Sequence, residues 1–148
     1  MTLSQSLRET VTDEEPRLRA ISEQAAGSIP LTGGWSKKQE LGHLIDSAIN
    51  NHVRFVKAAL ENGYSGPSYD GDGWVTMAGY DAASWPGLID LWKSHNQALV
   101  RVVDNIPHER FSAHCRVGDA QPVTLQFLID DYVLHMRHHL DHMTSRAA

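Results

Sequence analysis

Residues 135 to 142 read HMRHHLDH and hold four of the nine histidines in a chain of 148 residues. Two pairs, His135/His139 and His138/His142, have the i, i+4 spacing that stacks side chains on one face of a helix. Two neutral imidazoles on successive turns can converge on one ion, and their nitrogens suit zinc, nickel, copper or ferrous iron. A pair supplies only two ligands, so a third must come from another element. The alternative is a pair of half-buried, hydrogen-bonded histidines that belong to the core. The single Cys115 forms no internal disulfide, and no C-x-x-C is present. Any metal would therefore be held by His and carboxylate groups.

Helical projection of the last segment separates the two pairs. Leu125, Leu128, Ile129, Tyr132, Met136, Leu140 and Met143 form one apolar arc. His139 falls inside this arc and His135 at its edge, whereas His138 and His142 lie toward the polar side with Asp131. The inward pair is His135/His139. The second informative stretch, WSKKQELGHLIDSAINNHVRFVKAAL, has an apolar stripe of Leu41, Leu44, Ile45, Ala48, Phe55, Val56 and Ala59. Projection places His52 in that stripe. It places Glu40, His43, Ser47, Asn50 and Arg54 on the opposite side, which reads either as a solvated face or as the polar wall of a pocket or interface. Projection alone thus nominates His52 as the inward histidine of this helix.

Four long helical patterns position these residues. The first spans about Ser4 to Ala26, with Pro16 marking a kink or a later start. Ser36, followed by Gln39 and Glu40, reads as the capping box of a second helix from Lys37 to about Leu60. Ser84, with Pro86 after it, caps a third through Asn105. A short turn is expected at Pro107 to Arg110, and Thr124 caps the last helix from Leu125 to about Thr144. Residues 62 to 83 hold five glycines and one proline, a long connection of the kind that tends to be functional. Its Tyr64, Tyr69 and Trp74 suit an aromatic lid, or packing over the bundle end or a second subunit. No run of alternating strand residues stands out. The expectation is an all-α four-helix bundle with two long crossovers, forming a single domain over residues 1 to 148.

Composition narrows the function classes. The chain is 41% hydrophobic and 21% charged, with a formal charge of −5. Its basic residues are scattered, which argues against nucleic acid as a partner. No stretch approaches the ~20 apolar residues of a membrane span. The N-terminus lacks the apolar core of a signal peptide, so a cytoplasmic location is expected. Phosphate loops, nucleophile elbows and dinucleotide fingerprints are all missing from the sequence.

The segments GGWSKKQELGHLIDSAINNHVRF and TLQFLIDDYVLHMRHHLDHM together resemble the DinB/YfiT-like superfamily and, more narrowly, its DinB-like metal-dependent hydrolases. The similarity covers nearly the whole chain; its most specific parts are the Trp-Ser start of the second helix and the closing H-x-x-H-H. It implies a four-helix bundle, commonly a homodimer, that binds a divalent metal ion, nickel or zinc above all, acting on a small-molecule substrate. The family's ligand from the second helix falls on His43 in LGHLID, and its pair from the last helix on His135 and His139. For the last helix the resemblance and the projection agree; for the second they differ. Where the family often carries Gln after H-x-x-H-H, this chain has His142.

Three imidazoles leave an open coordination position, as in catalytic rather than structural sites. The resemblance implies either hydrolysis, with water activated by the ion, or thiol-dependent S-transfer or isomerisation. A non-catalytic, metal-stabilised dimer uses the same ligands. Glu40, Asp46 and Asp131 are candidate helpers, able to orient an imidazole or act as a base.

Overall fold

The computed structural model describes residues 2 to 145. Four long helices dominate: α1 (Leu3–Arg19), α3 (Lys37–Glu61), α5 (Trp85–Asn105) and α6 (Leu125–Ser145). Short α2 (Glu23–Gly27) follows α1, and α4 (Gly71–Ala78) lies in the α3–α5 crossover. The predicted four-helix bundle is what forms. No helix among the described residues is long and apolar enough to cross a membrane.

The helix starts follow their caps. Ser36 Oγ accepts from Gln39 N at 3.2 Å, and the Gln39 side chain accepts from Ser36 N at 3.0 Å. Two otherwise orphaned donors of α3 are thereby satisfied. Ser84 accepts from Gly87 N, with Pro86 in the first turn of α5. Thr124 Oγ1 accepts from Phe127 N at 3.1 Å, opening α6. The turn after α5 is a short 3₁₀ segment, His108–Ser112.

Two expectations are corrected. The first helix does not run to Ala26. It passes through Pro16, stops at Arg19, and restarts as α2 with Ser22 as N-cap. Pro16 costs α1 little, because the residue whose carbonyl it leaves free, Thr12, is exposed to solvent. The second correction is a small sheet made by the crossovers. Strand β1 (Tyr64–Gly66) pairs in parallel with β2 (His114–Val117), through Tyr64↔Cys115, Ser65↔Arg116 and Gly66↔Val117. In turn β2 pairs antiparallel with β3 (Val123–Thr124). Strands this short carry no alternation that a sequence window could detect.

The core is largely apolar. Leu7, Leu18, Leu41, Phe55, Trp92, Leu99, Ile129 and Leu140 are all fully buried. Each such leucine or phenylalanine contributes on the order of 1.5–3 kcal/mol by leaving water. A buried polar link joins α5 to α6: Tyr132 Oη donates to Asn96 Oδ1 at 2.5 Å, and Asn96 Nδ2 donates to Trp92 O.

Helix α3 is buried on two sides. Its apolar stripe packs into the core, while the polar row opposite is covered by the α6 histidines at Glu40 and His43 and by the crossover further along. Glu40, Ser47 and Arg54 are buried, with His43 and Asn50 half-buried. Gly42 permits a close approach here: a Cβ on it would stand 2.0 Å from Tyr80 Cδ2, so only glycine lets the phenol lie flat on α3. That phenol donates to Asp46 Oδ1 at 2.5 Å. The row is a polar wall, not a solvated face.

Candidate metal centre

Helix α3 presents His43, and successive turns of α6 present His135 and His139. One ring nitrogen from each lies within 4.8 Å of the others, the single such group of metal-ligating side chains among the described residues. His43 Nε2 stands 3.4 Å from His135 Nε2. The His43 and His139 rings are 4.9 Å apart between centroids, and those of His135 and His139 are 4.6 Å apart.

Glu40, one turn before His43, sets the orientation of His139. Its Oε2 lies 2.8 Å from His139 Nδ1. A carboxylate only accepts, so Nδ1 carries the proton and Nε2 keeps its lone pair for the cluster. Both oxygens of Glu40 also reach His142 Nδ1, at 3.0 and 2.9 Å. The Glu40 side chain is only 4% exposed, so its charge is poorly screened and its hold on the imidazoles correspondingly firm.

Trp35, immediately before the cap of α3, packs its ring 4.9 Å from that of His43. On another side the start of α4 closes in: a Cβ added to Gly71 would stand 3.6 Å from His43 Cε1. This enclosure lowers the His43 pKa to about 4, through burial first and the neighbouring His139 and His135 charges next. Burial, followed by His139, also lowers the pKa of His135. Both rings are therefore neutral and able to donate lone pairs at physiological pH.

The residues fit a divalent ion. Ligands about 2.0–2.1 Å from a tetrahedral ion stand roughly 3.3–3.4 Å from one another, the separation of His43 Nε2 and His135 Nε2. The third imidazole is pinned through its other nitrogen, as metal-binding histidines commonly are. Beside the cluster opens a cavity of about 540 Å³, bounded by Thr32, Gly34, Trp35, Glu40, His138 and His142. That is room for a small molecule.

His43, and not His52, is the α3 residue brought to the α6 pair. His52 faces α5 instead, its ring 5.4 Å from His95. A projection that allows one inward face cannot rank two histidines on a helix covered from both sides. His138 is exposed, with its ring 5.8 Å from that of His139. Of the candidate helpers, Glu40 is in contact with the cluster, Asp46 is engaged by Tyr80, and Asp131 is exposed on α6. In the 62–83 crossover, Tyr69 packs against Trp74 at 5.7 Å and under Arg54, while Gly71 is the position where a Cβ would touch the His43 ring. Sequence reasoning left the roles of Trp35 and His142 unassigned. The Glu40/His43 spacing of three was the available signal that this carboxylate shares a face with a ligand.

Comparison with known proteins places the fold in a family. Residues 6–143 match the family model described as the DinB superfamily. YfiT of Bacillus subtilis, named as a metal-dependent hydrolase on a provisional basis, is 26% identical over 113 residues, or 76% of this chain and 64% of that protein. A Bacillus pumilus protein bearing the same functional name is 31% identical over 114 residues, 76% of this chain and 65% of its own length. The alignments thus span just under two thirds of these relatives. The solved YfiT structure, described as a probable metal-dependent hydrolase with an unusual four-helix bundle topology, superposes with a TM-score of 0.85 at 22% identity, covering 96% of this chain and 82% of that one. A mycothiol-dependent maleylpyruvate isomerase shares the fold with a TM-score of 0.76 at 14% identity, over 95% of this chain and 60% of that one. With residues 6–143 matched to that family model, the chain belongs to the DinB superfamily.

Proposed function

We propose that this protein is a metal-dependent hydrolase in which His43, His135 and His139 hold one divalent ion, zinc or nickel. The observation that carries this reading is the convergence of three imidazoles from two helices, two of them kept neutral by burial and the third oriented by Glu40. Bound there with an open position, the ion would act as a Lewis acid and acidify a water presented to it. The chain's own residues do the rest. Glu40 holds the proton on His139 Nδ1 and keeps Nε2 directed at the site. Trp35 and the start of α4 shield His43 from water, which strengthens every polar interaction inside. His142, held by Glu40 at the wall of the cavity, is placed to exchange protons with a bound substrate.

A second reading, thiol-dependent S-transfer or isomerisation, uses the same three histidines. The fold shared with the mycothiol-dependent isomerase supports it. Homodimer formation belongs to the same proposal: Phe127 and Leu134, seven residues apart on α6, are 55% and 67% exposed and offer an apolar surface to cover.

The test is metal content followed by turnover. Protein purified without chelating resin should hold about one divalent ion per chain and hydrolyse members of an ester and amide panel, with activity lost in His139→Ala. Turnover that appears only when a low-molecular-weight thiol is added would favour the second reading. Protein that neither holds nor accepts a metal would overturn both.

A further inference from the structure

A second concave site lies between α3 and α4, with no histidine in its lining. Its cavity of about 600 Å³ is mostly apolar, and Asp46, Ile49, Asp70, Trp74, Met77 and Tyr80 line it. That volume is ordinary for a small-molecule site, and so is an apolar lining with few polar groups. Asp46 is 2% exposed and Tyr80 9%, so they form the floor; Trp74 at 38% and Met77 at 87% form the rim.

The floor is built rather than incidental. Gly42, in the interior of a long helix, leaves the space that seats the Tyr80 ring. The seated phenol donates to Asp46 Oδ1, while the buried Oδ2 receives no hydrogen bond from any described residue. A buried carboxylate oxygen without a donor is rare and costly in a folded protein. The lining has two carboxylates and neither lysine nor arginine. Asp70 accepts from Gly73 N at the start of α4, which holds the second carboxylate in place. A donor that is cationic, and that carries an apolar body, satisfies all of these features together. The indole of Trp74 at the rim adds an aromatic surface for the apolar body.

We propose that this groove binds a primary amine on an apolar chain or ring, its ammonium hydrogen-bonded to Asp46 and its apolar part seated against Ile49, Trp74 and Met77. The site is independent of the three histidines and of any metal they hold.

The experiment is an NMR titration of the full ¹⁵N-labelled chain with 4-phenylbutylamine and, separately, with 4-phenylbutanol. The Trp74 indole N–H, identified by comparison with Trp74→Phe, reports on the groove. The amine should bind saturably and at least ten-fold more tightly than the alcohol. Asp46→Asn should remove that ten-fold preference. Should Asp46→Asn fold poorly, Met77→Lys, at an exposed position, tests the same point by placing a tethered ammonium at the mouth, and it should abolish amine binding. His139→Ala, on α6 and outside the lining, should leave binding unchanged. The proposal is overturned if amine and alcohol bind equally, if neither perturbs Trp74, or if the preference survives Asp46→Asn. Self-association that buries Trp74, and that Met77→Lys dissolves while neither probe binds, would also overturn it by assigning the groove to a second copy.

Discussion

Glu40 Oε2 and His139 Nδ1 stand 2.8 Å apart, a carboxylate from α3 fixing an imidazole from α6. The contact decides which nitrogen of His139 is available, and it comes from one turn before His43 on the same helix. In Glu40→Gln the amide oxygen can still accept from Nδ1, but without the charge. Metal affinity should fall about 10–100-fold, or about 1.4–2.7 kcal/mol, with one site per chain retained. Competition with a chromophoric chelator would measure it; unchanged affinity would remove Glu40 from the site.

Metal content should separate the histidines sharply. His43→Ala, His135→Ala and His139→Ala should each lose the ion, whereas His52→Ala and His138→Ala should keep it. In the wild type, metal at 100 times its Kd should add about 2.7 kcal/mol to stability. Elemental analysis beside thermal melts checks both statements, and loss of metal in His52→Ala would show the ligand assignment on α3 to be wrong.

Gly42→Ala should destabilise the protein although alanine is the better helix former. The added methyl would meet Tyr80 Cδ2 at 2.0 Å and must displace the ring. We expect a net loss of about 2–4 kcal/mol, against about 1 kcal/mol gained from helix propensity. In a Tyr80→Ala background the same change should cost little. A double-mutant cycle in urea would reveal the coupling.

The metal-free protein should lose stability as pH falls from about 6.5 toward 4. The folded pKa of His43, about 4, lies below its unfolded value of 6.5. In that window the unfolded chain binds more protons, so acid favours unfolding, and stability rises with pH until both states are neutral. His135, shifted in the same direction, adds to the trend. Reduced for the solvent that still reaches the ring, the His43 contribution is on the order of 1–2 kcal/mol. Denaturation midpoints across this range should flatten in His43→Ala.

Much of this molecule is set locally. Ser36, Ser84 and Thr124 start their helices because a side-chain oxygen three residues before a free N–H needs nothing from the rest of the fold. The His135/His139 pair was legible for the same kind of reason: on a helix with one buried arc, spacing alone determines which side chains share the inner face. Those features fix the bundle and two thirds of the candidate site.

Tertiary structure decided the rest. Whether α3 offers His43 or His52 depends on what covers each side of that helix, and both sides are covered: His52 meets α5, while His43 meets α6 and the start of α4. The β1–β2 pairing joins residues about fifty positions apart, beyond the reach of any local pattern. Glu40 became a partner of His139 and His142 only when α3 and α6 packed together. Periodicity records which residues avoid water, and a buried polar wall avoids water without being apolar, so only its packed neighbours distinguish it from a solvated face.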